Sequence, residues 1–308
     1  MTATRRRFLT IMAGSMASAA TLRSARAEAV TWHGRALGAE AEIRLFGTDR
    51  VQARQALAAA RDTILRMEKL FSLYLAGSAL NRLNAAGTLH MPPEFARLIG
   101  IVDAIHAVSG GLFDPTVQPV MAALARTPHK LSPAERQALA ERIGWSKVRR
   151  HGSELSFSVP GMALTLNGIA QGFATDRVSE VLNAHGFDPH LVHVGEYRAG
   201  SSPAKIGIGS ADGSLLDTLE LRHASVATSS PRGTRFENGS GHIVLPGLGD
   251  RAPRWRSVTV QAGTAAAADG VSTALALTTT TDLAEKAIAE GRVQRVWFED
   301  RDGRLVRI

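Results

Sequence analysis

Leu164-Thr165-Leu166-Asn167-Gly168-Ile169-Ala170-Gln171-Gly172-Phe173-Ala174-Thr175-Asp176 is the stretch around which this 308-residue chain is organised. The apolar run over residues 162–166 reads as a buried strand. It breaks at Asn167-Gly168, and a helical pattern follows from 169 to about 185. Gly186 stands where a left-handed C-terminal cap belongs. Gly168 and Gly172 let something approach the backbone closely where the helix begins. A helix start carries unpaired N–H groups and partial positive charge, so a phosphate is its natural guest. A glycine-bearing strand-to-helix turn is also a common structural device, and this stretch alone leaves both readings open.

Working outward, residues 30–45 alternate as a strand or hairpin, with Ala36-Leu37-Gly38-Ala39 inside it. Residues 51–73 read as a long amphipathic helix with Leu57, Ile64, Leu65, Leu70 and Phe71 on its apolar stripe. Pro93 opens another helix that stops at Gly110-Gly111, and Phe113-Asp114-Pro115-Thr116 makes a turn with a polar tip. Ser132-Pro133-Ala134-Glu135 is a capping box with proline at the first helical position. Strands are expected near 147–150, 155–159, 190–194, 204–208, 215–221, 224–227, 241–245, 255–261 and 293–298. Helices are expected to start near Ala268 and Asp282. Strands and helices mix without strict alternation, which predicts an α+β fold of mixed sheets with packed helices.

The chain has 36 basic and 28 acidic side chains, a net charge of +8, but the excess is uneven. Five arginines and no acid fall in residues 1–27; without them 31 bases face 28 acids. No basic cluster is interleaved with aromatics, so nucleic acid is not an expected partner. Thr4-Arg5-Arg6-Arg7-Phe8-Leu9 resembles a twin-arginine export consensus. A mild apolar stretch follows, then the small-x-small site Ala25-Arg26-Ala27. Residues 1–27 are therefore read as a signal peptide and 28–308 as the working domain, located in the periplasm with no transmembrane span. Cysteine is absent, which excludes disulfides, thiolate catalysis and Cys-ligated metals.

A second stretch carries chemistry: Ala267-Ala268-Asp269-Gly270-Val271-Ser272-Thr273. Asp269 and Thr273 are four apart and share a helix face. A carboxylate and a hydroxyl are hard oxygen ligands of the kind magnesium takes beside water and phosphate. Equally, Asp269 could cap the helix and Thr273 bond back to a carbonyl.

Seven loose motifs occur in one order: Ser72-Leu73-Tyr74 with Ser78 and Asn84; Phe113-Asp114-Pro115-Thr116; Gly168-Ile169-Ala170-Gln171-Gly172 with Asp176; Gly195; Ala227-Thr228-Ser229; Gly241-His242-Ile243; and Ala268-Asp269 with Thr273. From about residue 30 onward the set resembles the ApbE family of FAD:protein FMN transferases. The wording at 36–43 and 162–172 further resembles an exported subgroup, NosX, associated with nitrous oxide reductase, which flavinylates the membrane protein NosR.

The resemblance implies an ApbE-like fold and an enzyme that splits FAD, places FMN on a Thr or Ser hydroxyl of a target protein and releases AMP. It implies Mg²⁺ held by Asp269, Thr273 and the carbonyl of Ala170, with His242 as the base. It implies FAD contacts from Leu37, Tyr74, Phe113, Asp114, Pro115, Thr165, Gln171 and Ile243. The chain departs from the family pattern in five places, the first being Leu37-Gly38-Ala39 where the family has Met-Gly-Thr. Thr165 stands where the family usually has Asp, and Gln171 where it has Lys or Glu. Glu196 replaces Gly, and Leu245 replaces an acid. These losses keep two other readings in view: an FAD-holding maturation factor without catalysis, and an FAD pyrophosphatase.

Overall fold

The computed structural model describes residues 9–11, 29–47, 49–127, 129–210, 212–247 and 252–308. The export signal read at 1–27 lies outside these residues except for a strand at 9–11. In chain order the elements are β1 (Leu9–Ile11), β2 (Ala29–Ala36), β3 (Ala39–Phe46), α1 (Arg50–Phe71), α2 (Ala79–Ala86), β4 (Thr88–His90), α3 (Pro93–Val108), α4 (Gln118–Arg126), α5 (Pro133–Ala140), β5 (Val148–His151), β6 (Glu154–Phe157), α6 (Ala170–Ala184), β7 (His190–Val194), β8 (Tyr197–Ala199), β9 (Ala204–Gly209), β10 (Leu215–Leu221), β11 (Ala224–Ser229), β12 (Trp255–Ala262), α7 (Ala265–Leu275), α8 (Asp282–Ala289), β13 (Arg295–Asp300) and β14 (Leu305–Arg307).

The fold is α+β, as the pattern predicts. Eight strands form one antiparallel sheet in the order β14-β13-β12-β11-β8-β7-β3-β2. Side chains alternate across its pleat. Val192 and Val194 of β7, Ala227 of β11, and Val296 and Phe298 of β13 enter the main core with α1, α3, α6 and α7. Leu191, Val226 and Trp297, one residue out of phase with them, enter a second core under β9 and β10. The large sheet is thus covered on both faces, by helices on one side and by the β1-β9-β10 sheet on the other. A third sheet, β4-β6-β5, flanks the helical layer.

Local signals explain most element ends. The tip joining β2 to β3 is Leu37-Gly38, both at positive φ (48° and 80°), the twist a two-residue antiparallel hairpin needs. The Ser132–Glu135 capping box forms as read. At the end of α6 the Gly186 N–H reaches the Asn183 carbonyl and the Phe187 N–H the Leu182 carbonyl; Gly186 sits at φ 81°, a left-handed cap.

Four expectations need correction. Residues 162–166 join no sheet; Met162, Leu164 and Leu166 are buried, and the neighbour of Leu164 is a side chain, described below. Residues 241–245 form no strand: Gly241 makes a single bridge to Arg235, and the next residues belong to a loop. Leu65 is 52% exposed, because the buried stripe of α1 runs through Ala60, Thr63, Ile64 and Met67 instead. Helix α7 begins at Ala265, capped by the Thr264 hydroxyl, so Asp269 lies more than a turn inside it and is not its cap. The short elements α2, α4, β4 and β8 carry too few residues for a periodic pattern to show.

His190 lies fully buried at the head of β7. Its Nδ1–H donates to the Phe187 carbonyl (2.7 Å), so its Nε2 lone pair accepts from the Ser179 hydroxyl (2.7 Å). Ser179 in turn accepts from Arg198 Nε at 3.1 Å. Burial holds the imidazole below its ordinary range; the Phe187 carbonyl opposes this, and the Arg198 charge adds to it. The unfolded chain takes this proton near pH ~6.5 while the folded chain resists it. The contribution is therefore complete above that pH and is lost as pH falls toward the depressed folded value. We predict a melting temperature lower at pH 5.5 than at pH 7.5, with a smaller difference in His190→Gln; an equal difference in the two proteins rejects this role.

Candidate active site

The first turn of α6 packs against the second turn of α7, and the two helices exchange carboxylates. Asp176 on α6 accepts from the Ala265 N–H (2.8 Å) and the Ala266 N–H (2.9 Å), the unpaired donors at the start of α7. Asp269 on α7 accepts through Oδ2 from the Gly172 N–H in the first turn of α6, at 3.1 Å. Arg198 Nη1 sits 3.0 Å from Asp176 Oδ1 and keeps that buried acid paired.

The two glycines serve this approach. A Cβ on Gly172 would lie 2.3 Å from the Ala265 carbonyl oxygen. One on Gly168 would lie 2.9 Å from Thr273 Oγ1 and 3.4 Å from Phe113 Cε2. What comes close to the turn is first of all the other helix. A carboxyl group does sit at the α6 start, and it is the protein's own Asp269.

Asp269 is buried, and Thr273, one turn on, places its hydroxyl 3.4 Å from the Gly168 carbonyl. Ala170, the first residue of α6, is buried beside them. Among the described residues no group of three or more His, Cys, Asp or Glu is placed to hold a metal. The donors here are a carboxylate, a hydroxyl and main-chain carbonyls. That all-oxygen set with a single acid suits magnesium, which keeps several waters and takes substrate phosphates into its shell. The residues present fit the ion the resemblance implies.

The Leu37-Gly38 tip forms the neighbouring wall. Leu37 in the left-handed region costs roughly 1–2 kcal/mol, and two side chains hold it there. The Leu37 N–H donates to Glu68 Oε1 (3.0 Å), and its carbonyl accepts from Gln171 Nε2 (3.3 Å). Gln171 follows Ala170, so α6's first turn touches both the oxygen cluster and the hairpin. Gly195, at φ 90°, leaves room for it, since a Cβ there would come 2.7 Å from Gln171 Cδ. Tyr74 lies over the tip with Cε2 3.7 Å from the Gly38 Cβ position, and it is 81% exposed.

Asn84 supports the segment leading into α6. Its Oδ1 accepts from the Leu164 N–H (2.7 Å) and its Nδ2 donates to the Leu164 carbonyl (2.9 Å), as a neighbouring strand would. The Thr165 N–H donates to the Pro115 carbonyl at 2.9 Å, which ties this segment to the 113–116 turn. Asp114 turns its carboxylate inward: Oδ1 takes the Thr116 N–H and hydroxyl, and Oδ2 the Trp145 N–H. In this arrangement Asp114 shapes the turn, while Phe113 packs at Gly168. Asn84 and Glu68 were not assigned roles from the sequence; the motif containing Asn84 was visible, but a partner 80 residues away was not.

His242 and Ile243 lie on the loop after β11. Asn238 anchors this loop by donating to the Leu124 and Thr127 carbonyls at the end of α4 (3.0 and 2.9 Å). His242 Nδ1–H donates to the Thr234 carbonyl at 3.1 Å, which assigns the ring lone pair to Nε2. Ile243 helps line a cavity of about 470 Å³ shared with Ala276, Leu277 and Thr278, the residues following α7. The cavity therefore adjoins the helix carrying Asp269 and Thr273.

A family model described as the ApbE family matches residues 37–296. The chain is similar to the FAD:protein FMN transferase of Haemophilus influenzae, 29% identical over 232 residues, covering 66% of this chain and 67% of that protein. It is similar to the FAD:protein FMN transferase of Klebsiella pneumoniae, 24% identical over 283 residues, covering 84% and 81%. Its fold matches the crystal structure of the ApbE protein from Thermotoga maritima with a TM-score of 0.82 at 22% identity, covering 91% of this chain and 97% of that one.

Gly172→Ala separates propensity from packing. Alanine in a helix gains about 0.5–1 kcal/mol over glycine, whereas a methyl forced against the Ala265 carbonyl costs about 1–3 kcal/mol. We predict net destabilisation in urea unfolding; a stabilised variant would show that the helices do not need this contact.

Proposed function

Since the chain belongs to the ApbE family and is a flavin transferase, we propose that it moves FMN from FAD to a Thr or Ser hydroxyl of a target protein with the help of magnesium. The observation that carries this reading is the meeting of Asp269 and Thr273 with the α6 start, 3.1 Å to Gly172 N and 3.4 Å to Gly168 O.

Asp269, Thr273 and main-chain carbonyls including that of Ala170 would hold Mg²⁺, which when bound neutralises charge on the pyrophosphate. Tyr74, Leu37 and Gln171 would orient the flavin donor at the hairpin tip, and Phe113, Pro115, Thr165 and Ile243 would line the rest of its cleft. His242 Nε2 would take the proton from the acceptor hydroxyl. The acceptor oxygen then bonds to the FMN phosphorus, the phosphoanhydride bond breaks, and AMP leaves with the bridging oxygen.

Export to the periplasm by the twin-arginine route and a NosR-like acceptor belong to the same proposal, supported by residues 4–9 and 25–27 and by the wording at 36–43. No helix among the described residues is long and apolar enough to cross a membrane.

Incubating the protein with FAD, Mg²⁺ and a NosR-like acceptor domain tests the reading. A covalent flavin on the acceptor is expected; intact bound FAD would mark a holding factor, and free FMN with AMP a pyrophosphatase. Asp269→Ala should lower labelling by about 100-fold or more, the equivalent of roughly 3 kcal/mol. It also orphans the Gly172 N–H, at about 1–3 kcal/mol of stability. Asp269→Asn keeps an acceptor oxygen there, so its transfer should fall as far while its stability falls less; labelling close to the parent in both variants would reject the metal site. His242→Ala should slow transfer by about 10²-fold with FAD still bound, and unchanged turnover would reject the base.

A further inference from the structure

A hydroxyl coordinates a cation only through a lone pair, with its hydrogen turned elsewhere. Thr273 therefore needs an acceptor on the side away from the ion. A side-chain acceptor within reach is Ser229, buried at the end of β11, with Oγ 3.2 Å from Thr273 Oγ1.

The hydrogens of Ser272 and Ser229 are placed by elimination. Ser272, fully buried on α7, donates its hydrogen to the Asp269 carbonyl at 2.9 Å. At the 2.8 Å contact between Ser272 and Ser229 the donor is then Ser229. With that hydrogen spent, Ser229 meets Thr273 as an acceptor. Thr273 has a second acceptor within reach, the Gly168 carbonyl at 3.4 Å. That carbonyl belongs to the turn where the cation is placed, and a bound cation repels a hydrogen aimed toward it. We propose that Ser229 is a positioning residue for the cation site: it takes the Thr273 hydrogen and leaves the Thr273 lone pairs facing a divalent ion. This rests on the assignment of Thr273 as a magnesium ligand.

The structure separates this role from a purely structural one. Removing the Ser229 hydroxyl leaves Ser272 its carbonyl acceptor and Thr273 its Gly168 carbonyl, so no buried donor is orphaned. Ser229→Ala should therefore fold and melt like the parent in metal-free buffer.

The test titrates Mg²⁺ into FAD-loaded protein without acceptor, following the melting temperature. In Ser229→Ala the half-saturating Mg²⁺ concentration should rise about tenfold or more, the usual effect of losing a group that orients a metal ligand. Ser229→Thr, which keeps the hydroxyl, should restore it. A parent-like titration in Ser229→Ala, while Thr273→Val loses its response, overturns the proposal and leaves the metal site standing. Failure of Ser229→Thr to restore the response assigns the effect to packing and also overturns it. Parent-like titrations in both Thr273→Val and Asp269→Asn remove the metal site, and the proposal with it.

Discussion

Two helices in this protein supply each other's missing charge. The start of α7 is closed by Asp176 from α6, and the first turn of α6 is met by Asp269 from α7. Each bond joins a carboxyl oxygen to a donor that its own helix leaves unpaired. The exchange requires the axes to lie closer than side chains normally permit, and Gly172 removes the obstacle. The pair is buried in the main core, α6 with Phe173, Ala174 and Val178 and α7 with Ala266 and Val271.

That junction also gathers oxygen donors. Asp269 is brought to the α6 start by the same bond that stabilises the pair, and Thr273 arrives one turn later at Gly168. Gln171, between the two contacts, points the other way and holds the hairpin tip. One turn of helix thus links a cluster of hard oxygens to a strained Leu37 that Glu68 grips from α1. Strain of this kind persists only where the surroundings over-determine it. Here the surroundings are a carboxylate and an amide from two different helices.

The neutral residues at positions where the family pattern carries a charge look different in this setting. Gln171 lacks the charge usual there, yet its amide donates to the Leu37 carbonyl, a bond that a carboxylate cannot donate. Thr165 lacks the carboxylate, but its backbone is tied to Pro115 and its hydroxyl accepts from the Asn167 N–H at 3.3 Å. The segment keeps its shape without the acid, because the shape depends on Asn84 and the backbone.

Elements whose physics is local are legible in the chain alone. The β2–β3 hairpin, the α1 and α3 helices, the Ser132 capping box and the Gly186 cap depend on neighbours within a few residues, and all can be read there. The ordered motifs also mark the family and most of the residues now found near the α6–α7 junction. Only the tertiary structure decided what each residue is for. Gly172 reads as room for a ligand and proves to be room for α7; Asp269 reads as a possible cap and proves to be a buried acceptor in mid-helix. Asn84 takes up the main-chain groups of Leu164 as a neighbouring strand would, although residues 162–166 join no sheet. The physical reason is the same in each case. A hydrogen bond between residues 80 to 100 positions apart leaves no periodicity in the chain, and which polar group meets which is settled only when the helices pack.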